Sequence, residues 1–286
     1  MKLFVSPNKP LDSVVLGLMR DVHALIKEMK LGYFVCGAAA RDILFLHVYG
    51  IETGIATLDV DFGVAVENWE QFEAIRTGLT KTGRFVPAKK VVQRLYYNVG
   101  SNGQGYPLDI IPFGKIEDPP NSIAWPPDQN EVMNVIGYDE ALLSTIEIEV
   151  DKDFNVPIIS LAGLALLKLF AWKERGIQNP KDASDLVTLL RNYHGAGNED
   201  RLYGEELKVL EAAGFDPASA SPHLLGKDVR RIARAETLTQ ASAILENPKQ
   251  LDRLITHMAS KLRYTDDAVE EAKRLLERFK YGLSGQ

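Results

Sequence analysis

Two aspartates separated by a single residue, Asp59 and Asp61 in Thr57-Leu58-Asp59-Val60-Asp61-Phe62, are the side chains of this 286-residue chain best suited to chemistry. In an extended strand, residues two apart lie about 6.6 Å from each other and point to one face. Carboxylates so placed repel one another, which raises one of their pKa values unless a cation intervenes. An oxygen-only ligand set suits magnesium or manganese. A third acid, Asp109, stands in Leu108-Asp109-Ile110-Ile111, where apolar neighbours indicate a buried strand. If the two strands are neighbours, Asp59, Asp61 and Asp109 converge as candidate metal ligands and catalytic groups. Two ions about 3.5–4 Å apart would then clamp the attacking and leaving oxygens of an in-line phosphoryl displacement. Solvated Asp-x-Asp pairs are commonplace, so spacing alone does not separate a metal site from an exposed strand end.

The segment ahead of the pair adds a phosphate-binding feature. Gly37 ends the apolar run Tyr33-Phe34-Val35-Cys36, and Ala38-Ala39-Ala40 open a helix whose small side chains leave its backbone amides accessible. A helix N-terminus of this kind attracts phosphate through free N–H groups and the helix dipole. Arg41 is a candidate phosphate contact, and Asp42 a first-turn acid that favours the dipole. Close helix–sheet packing would explain the same small residues equally well. The run is no dinucleotide fingerprint, because the second and third glycines of that pattern are absent.

The elements that must position these groups can be read from periodicity. Residues 11–30 repeat apolar side chains at helical spacing, and a second helix follows Gly37 as far as Gly50. Leu58 to Val66 reads as a strand, 69–82 as a helix, and Arg94–Asn98 and Pro107–Phe113 as strands separated by the turn-rich SNGQG. Residues 114–130 are rich in Pro, Asp and Asn and read as a loop. Ser144–Val150 and Phe154–Ile159 read as a strand pair, and from Ser160 onward the pattern is almost wholly helical. The expectation is therefore an α/β domain over residues 1–159 and an α-helical domain over 160–286.

Composition narrows the function classes. Hydrophobic residues make up 45% and charged residues 25%, ordinary values for a globular protein. A net charge of −6 argues against a surface that grips nucleic acid on every side, though not against a local basic groove. The lone cysteine, Cys36, excludes an internal disulfide framework and a cysteine-rich zinc site. Pro and Asn interrupt the start where a signal peptide needs an unbroken apolar stretch, and no apolar run approaches the roughly 20 residues of a membrane helix. A cytoplasmic protein without membrane association is expected.

The ordered set of strand-Gly37-Ala38-Ala39-Ala40-Arg41-Asp42, then Asp59-Val60-Asp61, then Leu108-Asp109-Ile110-Ile111 resembles the DNA polymerase beta-like superfamily of nucleotidyltransferases. The resemblance implies a mixed sheet with flanking helices. It makes Asp59 and Asp61 metal ligands, and Asp109 a metal ligand that also activates the acceptor hydroxyl. Gly37, Ala38 and Arg41 would lie at the nucleotide. Ala38 stands where many members have Ser or Gly, so a hydroxyl contact to phosphate is missing and backbone amides must serve.

In the helical half, Ser160 is a candidate N-cap for LAGLALLKLFAWKERG, and Asn179-Pro180 start a further helix in the favoured Ncap–N1 order. Lys168 lies within reach of the apolar side, where a lysine ordinarily snorkels to solvent. Acids at Asp182 and Asp185 would ordinarily be dipole partners. Yet Leu166–Arg175 followed by Lys181-Asp182-Ala183-Ser184-Asp185-Leu186 is similar to a motif of the nucleotidyltransferase-type toxins of abortive-infection and toxin–antitoxin systems. That resemblance implies a phosphate contact for Lys168, and a supporting role for Asp182 or Asp185. The function it implies is transfer of NMP from a nucleoside triphosphate, with magnesium or manganese, to an acceptor hydroxyl. The expected acceptor is tRNA or other RNA, and an antitoxin protein the expected counterpart. A small-molecule acceptor of the aminoglycoside type is the enzymatic alternative, and a non-catalytic nucleotide- or partner-binding module the other. The basic clusters Lys227/Arg230/Arg231/Arg234 and Lys273/Arg274/Arg278/Lys280 read as solvated helix faces or, alternatively, a track for RNA phosphates.

Overall fold

The computed structural model describes residues 3–54, 57, 59–98, 105–263 and 266–285. The chain forms two compact units, Met1–Ser160 and Leu161–Gln286.

The first unit is built on an eight-stranded mixed sheet. Its elements in chain order are β1 (Leu3–Phe4), α1 (Ser13–Glu28), β2 (Tyr33–Cys36), α2 (Gly37–Asp42), β3 (Val60–Ala65), α3 (Trp69–Lys81), β4 (Phe85–Pro87), β5 (Arg94–Tyr97), β6 (Tyr106–Phe113), β7 (Ser122–Ala124), β8 (Val132–Asn134), α4 (Tyr138–Leu143), β9 (Ile146–Asp151) and β10 (Phe154–Ile158). The sheet runs β1-β9-β10-β2-β3-β6-β5-β4, and β7 and β8 form a separate antiparallel pair. The element that carries the candidate acids, β3, lies between β2, antiparallel to it, and β6, parallel to it.

Local chemistry accounts for the helices that back this sheet. The Asp12 carboxylate accepts from the Val14 and Val15 amides and starts α1, whose Leu18, Met19, Val22 and Ile26 are buried at helical spacing. Asn68 caps α3 in the same way through the Gln71 amide, and Phe72, Ile75 and Leu79 form its buried stripe. The helix expected after Gly37 is present but not uniform: beyond Asp42 it widens into a π-helical stretch, Ile43–Val48. The Pro-rich segment expected to be a loop contains β7, because Ser122–Ala124 finds a partner in β8. Strand β3 begins at Val60, so Asp59 precedes it rather than lying within it; Leu58 and most of SNGQG fall outside the described residues.

The second unit is helical: α5 (Leu161–Arg175), α6 (Lys181–Asn192), α7 (Glu199–Tyr203), α8 (Leu207–Ala212), α9 (Pro217–Ile232), α10 (Ala235–Glu246), α11 (Pro248–Lys261) and α12 (Ala268–Ser284). Every residue of α5 from Leu161 to Phe170 is buried, as in a helix enclosed on all sides. Helix α6 starts one residue later than expected, with Pro180 rather than Asn179 at its N-cap, though Asn179 Oδ1 accepts from the Lys181 amide at 3.1 Å. Helices α9 and α12 cross at glycines. A Cβ on Gly226 would lie 2.3 Å from the Phe279 carbonyl oxygen, and one on Gly282 would lie 2.2 Å from that of His223. No helix among the described residues is long and apolar enough to cross a membrane.

Candidate active site

Register decides which acids meet. Asp61 of β3 lies directly opposite Asp109 of β6 in the parallel pairing, and opposite Cys36 of β2 on its other side. Residues paired across neighbouring strands project to the same face, so the Asp61 and Asp109 carboxylates share it. Asp59, two residues upstream, joins them, since its Oδ2 lies 3.7 Å from Nη2 of the same arginine that holds Asp109. Its side chain is 47% exposed against 14% for Asp109, so the acid set opens to solvent at Asp59.

That arginine is Arg94, which the sequence marks only as the first residue of a strand. It opens β5 directly opposite Asp109. Its Nε donates to Asp109 Oδ1 and its Nη2 to Oδ2, each at 2.7 Å, a bidentate charge-assisted pair. The hydrogen bond to Asp109 holds the guanidinium firmly charged; partial burial opposes this, and attraction to Asp109 and Asp59 adds to it. The self-repulsion expected of the acids is thus relieved here by a side chain. Among the described residues, no three acidic, histidine or cysteine side chains stand close enough together in this arrangement to ligate one ion. The donor set still suits a hard divalent cation, because it is all oxygen, comes from neighbouring strands, and has one open member.

Gly37 makes room for this set. Its φ is +69°, in the left-handed region, and a Cβ there would lie 1.8 Å from Asp61 Oδ2. The Asp61 carboxylate therefore rests against Gly37, the first residue of α2.

Arg41 and Asp42 sit differently from the expectation. Arg41 is 5% exposed, and its Nη2 lies 2.7 Å from Asp42 Oδ1, so this guanidinium is enclosed rather than presented to phosphate. Asp42 is the last residue of α2, not a first-turn acid. It accepts from Thr53 Oγ1 at 3.0 Å and the Thr57 amide at 3.3 Å, which fixes those two residues ahead of Asp59.

In the helical unit, Lys168 neither snorkels nor presents its charge. It is 6% exposed, with Nζ 3.0 Å from Asp182 Oδ1 and 2.5 Å from Asp185 Oδ2. Asp182, fully buried, also takes a fork from Arg175 at 2.7 and 3.0 Å. Burial works against the Lys168 charge, but Asp185 and Asp182 outweigh it and hold its pKa above the usual lysine value. Burial likewise opposes the Asp182 charge, and Arg175 and Lys168 outweigh it, holding its pKa low. These residues come together as expected, but as a closed ion cluster joining α5 to α6.

Several tail cations are also engaged internally. Lys227 pairs with Glu206, Arg231 lies 3.1 Å from Asp228, and Arg230 donates to the Leu283 and Ser284 carbonyls. Asp228, 6% exposed, is the hub of this network, accepting from Tyr193 at 2.5 Å and from Arg201 at 2.8 and 3.0 Å.

Among solved structures, the antibiotic-resistance factor ANT(2″)-Ia is similar to the chain, with 18% identity over 71% of this chain and 92% of that one and a TM-score of 0.38. A nucleotidyltransferase-like protein from Paracoccidioides brasiliensis is 16% identical over 71% and 93%, with a TM-score of 0.42. A CCA-adding enzyme in complex with ATP is 18% identical over 92% and 66%, with a TM-score of 0.32. Among curated proteins no match is found. The model of the family "Nucleotidyl transferase AbiEii toxin, Type IV TA system" matches residues 56–278, which takes in Asp59, Asp61, Arg94, Asp109 and the Lys168 cluster, and the chain belongs to that family of nucleotidyltransferases.

Proposed function

We propose that this chain transfers a nucleoside monophosphate from a triphosphate to an acceptor hydroxyl, with RNA, tRNA among the candidates, as the acceptor. The observation that carries the reading is the direct pairing of Asp61 with Asp109 on neighbouring parallel strands, with Asp59 just ahead and Gly37 against Asp61. Asp59, Asp61 and Asp109 would hold magnesium or manganese. When bound, such an ion supplies charge neutralisation at the triphosphate and lowers the cost of bringing an anionic nucleophile to phosphorus.

The chain's own groups account for the rest. The opening amides of α2 at Gly37 and Ala38 are suited to the phosphate tail. Asp109 accepts the proton of the acceptor hydroxyl; the oxygen forms a bond to the α-phosphorus, the bond to the bridging oxygen breaks, and pyrophosphate leaves. Asp42, paired with Arg41, acts by holding Thr53 and Thr57 ahead of Asp59, and the Lys168–Asp182–Asp185 cluster by fixing α5 against α6. The family's description supports a toxin role answered by an antitoxin protein, and we read the compartment as the cytoplasm.

The test is incubation with each labelled nucleoside triphosphate, magnesium, and either total RNA or small hydroxyl compounds. Label transfer and pyrophosphate release are expected with the native chain, and neither with Asp61→Asn or Asp59→Ala at unchanged circular dichroism. Absence of transfer with all four nucleotides and every acceptor would leave a nucleotide-binding module instead.

A further inference from the structure

We infer that Arg94 is a built-in competitor of the divalent cation: it occupies Asp109 until a nucleotide-borne ion displaces it, and so sets how tightly the site takes up metal on its own. The inference rests on the reading above, that Asp59, Asp61 and Asp109 form the cation site.

Three observations carry it. Arg94 uses both Asp109 oxygens at once, at 2.7 Å each, and so occupies the position facing both oxygens that a cation bound to the pair would take. The same Nη2 stands 2.7 Å from Asp109 Oδ2 and 3.7 Å from Asp59 Oδ2, so the guanidinium sits where a positive charge shared by those acids would sit. Finally, Arg94 is held opposite Asp109 by the β5–β6 register, yet its side chain is 28% exposed, which leaves its tip a way out toward solvent. Two cations cannot share that position: their repulsion adds to the loss of carboxylate oxygens. An ion arriving alone must break a bidentate pair to bind. One arriving on a triphosphate brings the nucleotide's own contacts to offset that loss. The expected consequence is a site that stays metal-poor without nucleotide.

The experiment titrates the full chain with Mn2+, following the free-ion electron paramagnetic resonance signal, without nucleotide and with a nonhydrolysable triphosphate whose own uptake of Mn2+, measured without protein, is subtracted. Native protein is expected to bind Mn2+ weakly alone and more tightly with the triphosphate. Arg94→Gln is expected to bind Mn2+ alone about tenfold or more tightly than native, since a charge-assisted bidentate pair no longer opposes the ion. Arg94→Lys keeps the charge but loses the fork, should fall between the two, and carries the test if the glutamine variant does not fold. Unchanged or weaker Mn2+ binding by folded Arg94 variants, while native protein binds Mn2+ with the triphosphate, would overturn the competition and make Arg94 a prop for Asp109. No Mn2+ binding by any form, triphosphate included, would instead overturn the cation site itself, and the competition with it. An Asp61→Asn control, expected to bind none, ties the signal to the acid set.

Discussion

At the scale of single residues, Gly37 meets two demands that no other residue meets together. Its φ of +69° lies where a side chain is strained, and its missing Cβ leaves the space that Asp61 Oδ2 fills. Gly37→Ala should therefore destabilise the fold by about 1–3 kcal/mol through backbone strain. It should also abolish transfer, because the Asp61 carboxylate must move. Denaturant melts and label transfer read the two effects separately, and a variant with native activity would show that the Asp61 position is not critical. This double role was only half legible in the sequence. Gly-Ala-Ala-Ala after a short apolar run marks a strand-to-helix turn, but nothing in it reveals that an acid 24 residues later leans on the glycine. Arg94 was less legible still. Its function depends on β5 lying beside β6 in a register that sets it opposite Asp109, and a lone arginine opening a strand carries no local trace of that.

At the scale of elements, legibility followed burial. Helices α1 and α3 and strands β2, β5 and β6 follow the apolar pattern to within a residue or two, because the helices and β5 bury one regular stripe or face and β2 and the end of β6 are apolar runs buried on both faces. Strands β1, β4, β7 and β8 are two or three residues long and exist through their partners, which no periodicity reports. The pairing of α5 with α6 shows the same limit. Lys168, Asp182 and Asp185 stand out at once as an unusual charge pattern, but only packing shows that they neutralise one another. Lys168→Met should cost up to about 3–5 kcal/mol, since it removes the cation that the buried Asp182 and Asp185 share and leaves Asp182 to the Arg175 fork. A lysine that merely touched phosphate could be replaced with no change in melting. The same cluster sets a pH window. Asp182, with its pKa held low, contributes stability above the usual aspartate value near 3.8 that is lost as pH falls through its folded pKa. Lys168, with its pKa held high, contributes fully below the usual 10.5, and that contribution is lost as pH rises through its folded pKa. The cluster's own contribution to the denaturation midpoint should be constant between these limits and fall on both sides. In Lys168→Met the cluster's alkaline contribution should be absent, and a native-like alkaline fall would assign that fall to other groups.

At the scale of the whole molecule, the question is how a chain of net charge −6 would receive a polyanionic acceptor. Much of the basic character of the tail is tied up internally, by Glu206, Asp228 and backbone carbonyls. A better placed source of positive charge lies beside the acids. The turn between β4 and β5 carries the exposed Lys89 and Lys90, and it is fixed to the site by two backbone hydrogen bonds, Ala88 N–H to the Arg94 carbonyl at 3.0 Å and Ile110 N–H to that of Gln93 at 2.9 Å. Within the first unit this turn flanks Asp109 on the side away from β3 and Gly37. An acceptor strand approaching Asp109 from that side would pass the two lysines, while the triphosphate occupies the other. If the acceptor is RNA, each lysine that meets a phosphate releases about one counterion, and affinity falls steeply with salt. Lys89→Glu with Lys90→Glu should then weaken RNA labelling and make its logarithmic salt dependence shallower by about two. Melting should stay unchanged, because both side chains are exposed. For a small neutral or cationic acceptor the double substitution should leave labelling and its salt dependence nearly as they were. A native salt slope in the double variant would remove this turn from the path of the acceptor, and a flat slope in the native chain would remove RNA.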